Sequence, residues 1–226
     1  MRRLGLLDAL AEAVEPRGRT VVDVGCGDGT VARHLTGLGA RVTGIEVSDD
    51  QLARARAAAP AGDESYRVGT GEALPLEDAS ADAVVYSKSF HHVPPAAMAP
   101  ALAEAARVLR PGGRLVVVEP IAEGACFETT RPIEDETAVR AAALDRLRAP
   151  PPELEPVEES VFLTTQHHRD ADRFLAHAVA VDPARRDRLP LVEDTVRRLF
   201  TAKGRPEDGG MAFDQPMRRL VFRRRP

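Results

Sequence analysis

The stretch Val21-Val22-Asp23-Val24-Gly25-Cys26-Gly27-Asp28-Gly29-Thr30 decides how this chain is read. Val21–Val24 is a compact strand whose valines suit burial on both faces. Glycines at alternate positions then turn the chain sharply, before Val31, Ala32 and Leu35 carry a helix that closes at the Gly37–Gly39 turn. Backbone without side chains can approach a ligand closely. Arg41–Glu46 reads as the next strand and ends on a carboxylate, Glu46, 17 residues beyond Gly29. In a parallel sheet, adjacent strand ends converge on one edge, where ligands bind. A carboxylate there accepts hydrogen bonds from both hydroxyls of a ribose. The competing reading is a tight turn followed by a surface glutamate.

The spacing separates the nucleotide ligands. A dinucleotide fingerprint is G-x-G-x-x-G, its third glycine bringing helix and strand together. Here the pattern is G-x-G-x-G, and Thr30 stands where the third glycine would fall. Asp28 sets a carboxylate where a pyrophosphate would approach, and like charges repel. A phosphate-binding P-loop is excluded because no Gly-Lys-Ser/Thr follows. A phosphate-free ligand bearing ribose and a cationic portion fits, and S-adenosylmethionine is such a molecule.

Outward from this turn, strand and helix signals alternate, which predicts helices packed on a parallel sheet. Residues 5–15 form a helix with Leu6, Leu7, Leu10 and Val14 on one face. Ser48 and Gln51 make a capping box for a helix over 49–59. Strands are expected at 66–68, 82–86 and 114–119, with a helix from Pro95 to Leu109 that stops at Pro111-Gly112-Gly113, a turn that breaks both helix and strand. Past Pro120 the pattern loosens. It predicts a helix over 134–148, a stiff Pro150–Pro152 loop, a strand over 157–165, helices over 170–180 and 184–202, a polar loop over 204–210 and a strand over 218–223. At 226 residues, 43% hydrophobic and 29% charged, the chain suits one α/β domain. Residues 1–120 form its cofactor-binding half and 121–226 its substrate-facing region.

With these motifs in order, the sequence resembles the class I S-adenosylmethionine-dependent methyltransferases, in the branch of quinone C-methyltransferases and natural-product methyltransferases. The likeness covers roughly residues 18–120. Asp23 through Gly29 matches the first motif, Glu46 the acidic ribose ligand, and Gly69-Thr70-Gly71-Glu72-Ala73-Leu74-Pro75-Leu76 the adenine-lining stretch. Asp82 to Val93 matches strand four and its exit, and Leu109–Gly113 the turn before strand five. The resemblance implies a doubly wound, mostly parallel seven-stranded sheet with its last strand antiparallel. It implies cofactor contacts from Asp23, Gly25, Cys26, Gly27, Glu46, Val47, Gly71, Glu72 and Ser87. Two positions depart from the family pattern: Thr70 stands where an adenine-binding aspartate is common, and Gly71 where alanine is common.

Methyl transfer is an in-line displacement that needs a positioned acceptor and, for acidic acceptors, a base. His91 and His92, on the exit of strand four, are the candidates. Being adjacent, at most one faces the site, and a hydrogen bond that fixes the loop competes with the catalytic role. Glu119, ending strand five, either contacts substrate or caps the next turn. His167, His168 and His177 lack a carboxylate or cysteine at an obvious ligand spacing, so no metal is expected and a solvent-facing role is the default.

The acceptor class follows by contrast. A small molecule modified on O, C or N is the first reading. A nucleic-acid or protein methyltransferase, or a non-methylating S-adenosylmethionine-binding protein, is the alternative. Exocyclic-amine methylation uses an Asn/Asp-Pro-Pro-aromatic motif after strand four, where this chain has Ser87-Lys88-Ser89-Phe90. A net charge of −4 gives no footprint for nucleic acid. The two cysteines, Cys26 and Cys126, suggest a reduced, cytoplasmic protein. The first residues lack a secretory apolar stretch, and no membrane span is expected.

Overall fold

The computed structural model describes residues 1–181 and 183–226. In chain order the elements are β1 (Arg2–Arg3), α1 (Leu6–Val14), β2 (Thr20–Val24), α2 (Thr30–Gly37), β3 (Arg41–Glu46), α3 (Asp49–Ala57), β4 (Ser65–Val68), β5 (Ala81–Ser87), α4 (Pro95–Val108), β6 (Leu109–Pro120), α5 (Gly124–Thr130), α6 (Thr137–Leu147), β7 (Leu154–His168), α7 (Ala171–Val181), α8 (Leu189–Lys203), β8 (Arg205–Glu207) and β9 (Gly210–Arg224). Short 3-10 turns occupy Phe90–His92 and Pro183–Arg186. The chain forms two compact units. The larger comprises Leu6–Glu119, Ala141–Ser160 and Arg218–Pro226; the smaller comprises Met1–Gly5, Pro120–Arg140 and Val161–Met217.

In the larger unit the hydrogen-bonded order is β7-β9-β6-β5-β2-β3-β4, with β7 and β9 contributing residues 154–160 and 218–224. The pairs β2/β3, β2/β5, β3/β4 and β5/β6 are parallel. From β2 the chain proceeds to β3 and β4 on one side and later to β5 and β6 on the other. The switch between β2 and β5 opens the crevice in which such sheets take ligands. In the smaller unit β1 pairs parallel with β7 at Arg2–Phe162 and Arg3–Leu163, and β8 pairs antiparallel with β9. The seven expected strands are therefore present, and two short ones are added.

Register explains the core of the larger unit. Val22 sits beside Val84 and Val84 beside Leu115; Val24 sits beside Tyr86 and Tyr86 beside Val117. Alternation puts these six on one face. There they form one cluster with Met98, Ala101, Leu102 and Ala105, the i, i+3, i+4, i+7 stripe of α4. Asp23 lies between Val22 and Val24, so it projects to the opposite face. In the smaller unit Phe174, Phe200 and Phe213 make the core with Ile133 and Val196, the Phe200 and Phe213 rings 4.9 Å apart.

Several expectations are corrected. The Pro111–Gly113 turn does not separate helix from strand, because β6 already begins at Leu109. Between Ala81/Leu109 and Ala83/Arg114 the register shifts, so the turn is a bulge within the strand. The expected loop at 204–210 is a hairpin instead. Asp208 and Gly209 both adopt positive φ, +47° and +75°, the backbone that a tight two-residue turn between β8 and β9 requires. Helix α5 was not foreseen, and β7 and β9 extend beyond their predicted ends. His168 is not solvent-facing: its ring packs 5.0 Å from that of Phe174, and burial lowers its pKa. His167 does lie at the surface, with Nε2 3.6 Å from the Glu207 carboxylate.

Candidate functional site

Every residue singled out for the site falls in the larger unit. The glycine turn leaves β2 and folds across the end of β3: the amides of Gly25 and Cys26 both donate to Ile45 O, at 2.8 and 3.1 Å. Gly25 has φ of +69°, and a Cβ there would lie 2.6 Å from Ser89 Cβ. Only glycine meets both demands. Ser89 is drawn in because its hydroxyl donates to Val24 O at 2.6 Å, tying the exit of β5 to the end of β2.

Glu46 closes the turn from the side. One carboxylate oxygen accepts the Gly27 amide at 2.9 Å, and the other accepts those of Val47 and Ser48 at 2.8 and 3.0 Å. Three charge-assisted bonds fix the carboxylate at the strand end and leave lone-pair capacity for a ribose hydroxyl. Val47, next along, is 64% exposed, an apolar surface beside that carboxylate. The Cβ direction of Gly27 meets nothing within 4 Å, so the turn presents open space on that side.

Buried polar atoms without partners sit at the ends of the two central strands. Asp23 is 1% exposed and its Oδ2 has no hydrogen-bond partner; Ser87 Oγ at the end of β5 is also buried and unpartnered. Burial first and the charge of Glu46 second push the Asp23 carboxyl up to about 7. A ligand cation at this edge would supply the missing partner. Cys26 is buried, and burial pushes its thiol up, so it is no nucleophile. Asp28 acts locally, accepting the Thr30 amide and hydroxyl at 3.0 and 2.7 Å.

The stretch from Gly69 to Leu76 is held by α4. Glu104 accepts the Leu74 amide at 2.9 Å, and Arg107, paired with Glu104, donates to the carbonyls of Leu74 and Leu76. Gly71 is buried, and a Cβ on it would stand 2.8 Å from the Tyr86 hydroxyl, so alanine would not fit here unchanged. That hydroxyl is itself buried without a partner. Glu72 follows, half-buried.

His91 and His92 differ in environment. His91 is buried, and its Nδ1 is hydrogen-bonded to Glu119, whose other oxygen accepts the Phe90 amide at 2.8 Å. His92 is exposed, its ring centroid 4.0 Å from that of His91. Glu119 thus binds Phe90 and pairs with His91 rather than capping the turn that follows β6. Residue reading missed this pair, although β5 and β6 are adjacent parallel strands, and both their ends were placed at the same edge.

Comparison with known proteins agrees with this geometry. Residues 22–117, all within the larger unit, match the family model described as "Methyltransferase domain". That stretch of the chain is similar to methyltransferase domains, in line with the resemblance to the class I Rossmann-like enzymes. The 27-O-demethylrifamycin SV methyltransferase of Amycolatopsis mediterranei is 41% identical over 118 residues, 50% of this chain and 43% of that protein. The ubiquinone biosynthesis O-methyltransferase of Xanthomonas axonopodis pv. citri is 37% identical over 113 residues, covering 48% of this chain and 46% of that one. The match to an uncharacterized methyltransferase of Mycobacterium tuberculosis spans 44% of this chain and 39% of that protein. The chain thus spans less than half the length of the curated relatives it matches. Among solved structures, the YcgJ protein of Bacillus subtilis superposes with TM-score 0.62 at 17% identity, covering 98% of each chain. The 4+2 cyclase SpnF does so with TM-score 0.61 at 22% identity, covering 97% of this chain and 80% of that one. These likenesses establish the mixed α/β, largely parallel fold.

Proposed function

We propose that this chain binds S-adenosylmethionine at the carboxyl edge of β2, β3 and β5 and transfers its methyl group to an O, C or N atom of a small molecule. The observation that carries the reading is the buried His91–Glu119 pair beside the glycine turn that Glu46 orders. When bound, the cofactor supplies a methyl group activated by its sulfonium. Glu46 would take the ribose hydroxyls, Asp23 and the Gly25–Gly27 backbone the amino-acid end, and Val47, Gly71 and Glu72 the adenine side. Ser87 offers a polar atom between them.

Glu119, hydrogen-bonded to Nδ1, orients the His91 ring at the exit of β5. A base so oriented takes a proton from an acidic acceptor, and the carboxylate behind it stabilises the imidazolium that results. This favours a hydroxyl acceptor over one that needs no deprotonation, in keeping with relatives named as O-methyltransferases. His91 is then the catalytic residue and Glu119 a positioning residue. The expected Thr70 departure bears on adenine binding alone. A second reading, binding without methyl transfer, draws on the likeness to SpnF, a cyclase on this fold.

Labelled methyl transfer to a panel of phenols, alcohols, amines and acids tests the proposal, with S-adenosylhomocysteine affinity measured alongside. His91→Gln is expected to lower kcat by about 10²- to 10⁴-fold while that affinity stays. Equal rates in the variant would remove His91 from the mechanism. Binding with no transfer to any acceptor would favour the second reading.

A further inference from the structure

Lys88 is a residue at this edge to which the proposed chemistry gives no task. The chain has 31 basic residues, and all are arginine except Lys88 and Lys203. Lys203 is paired with Glu128. Lys88 immediately follows β5 and has φ of +57°, the left-handed region that glycine and asparagine enter more readily than lysine. The backbone there cannot relax. The Lys88 amide donates to Val118 O at 2.8 Å, and the next residue is tied to Val24 O.

A strained residue that persists where a relaxed one would fit points to its side chain. That side chain is exposed, and among the described residues no carboxylate pairs with it. Three acids of this edge are engaged by the protein itself: Glu46 by three amides, Asp28 by Thr30, Glu119 by Phe90 and His91. An anionic molecule approaching this edge would meet those charges and be repelled, unless a cation offset them. Lys88 stands three residues before His91, on the same exit from β5. Lysine presents a compact charge there, not a planar fork.

We propose that Lys88 is the counter-ion for an anionic group, a carboxylate or phosphate ester, on the methyl acceptor, so that the acceptor is an acidic small molecule. This rests on the methyltransferase reading above. The test uses the full chain loaded with S-adenosylhomocysteine and titrated with benzoate, phenyl phosphate and neutral benzamide. The variants are Lys88→Asn, which suits the left-handed backbone, and Lys88→Arg, which keeps the charge.

One of the two anions is expected to bind at least about tenfold more tightly than benzamide, and which one names the group. Lys88→Asn should erase that preference and leave S-adenosylhomocysteine affinity unchanged, while Lys88→Arg keeps most of it. The proposal is overturned if neither anion is preferred, including if no probe binds, or if the preference survives in Lys88→Asn. Weakened S-adenosylhomocysteine binding in that variant also overturns it, by assigning the ammonium to the cofactor's carboxylate. If the wild type fails to bind S-adenosylhomocysteine before any probe is added, the methyltransferase reading has failed, and this proposal with it.

Discussion

Asp23 shows how one residue couples fold and ligand. Strand alternation turns it away from Val22 and Val24, and it is buried near Glu46. Its carboxyl, raised to about 7, binds a proton in the fold at pH values where the unfolded chain, near 3.8, does not. Its contribution to the stability of the unliganded protein is therefore present at low pH and is lost as pH rises through about 7. Thermal denaturation of wild type against Asp23→Asn should show the variant gaining relative stability from about pH 4 to 7 and levelling off above. A difference that does not change with pH would refute the assignment. Cofactor binding carries the opposite sign, since an ammonium favours the ionised form. Affinity for S-adenosylhomocysteine should fall as pH drops below about 7 in wild type only. At this scale Glu46 was legible because its spacing from the turn follows from one strand-helix-strand unit. The His91–Glu119 pair was not, since it depends on side-chain rotamers 28 residues apart in sequence.

Most elements from α1 to β6 were readable because β2 and β5 are buried strands and α1 and α4 carry an apolar stripe, whereas β1, two exposed arginines, was not. Arg41–Glu46 was placed to the residue, and the Ser48 cap does accept the Gln51 amide, at 3.3 Å. Leu102, wholly buried in the α4 stripe against β2, β5 and β6, tests this packing. Leu102→Ala should cost about 2–5 kcal/mol in denaturant unfolding, and a change below ~1 kcal/mol would mean that the stripe is not the core contact described. Beyond Pro120 the signals are weaker for physical reasons. Helix α5 spans only Gly124–Thr130 and ends in two β-branched threonines, which hide its period. β7 carries exposed Glu155, Glu158 and Glu159, two of them facing arginines across the larger unit, so its N-terminal half reads as polar. The Asp208-Gly209 pair was a hairpin signal that the surrounding charge obscured.

At the scale of the whole molecule, the sheet order places every proposed cofactor residue on one edge of the larger unit, within or next to the matched segment. Among the described residues no helix is long and apolar enough to cross a membrane. The class of fold was legible because motif spacing encodes strand adjacency. The acceptor was not, because no motif in the chain past Pro120 names one. The central claim is that Glu46 orders a ribose-binding turn for S-adenosylmethionine. Calorimetric titration with S-adenosylhomocysteine tests it most directly. Wild type should bind one equivalent, and Glu46→Ala should bind about 10- to 100-fold more weakly, as expected for the loss of a charged hydrogen-bond partner. Equal affinity in the two proteins, or no binding by the wild type, would contradict the account.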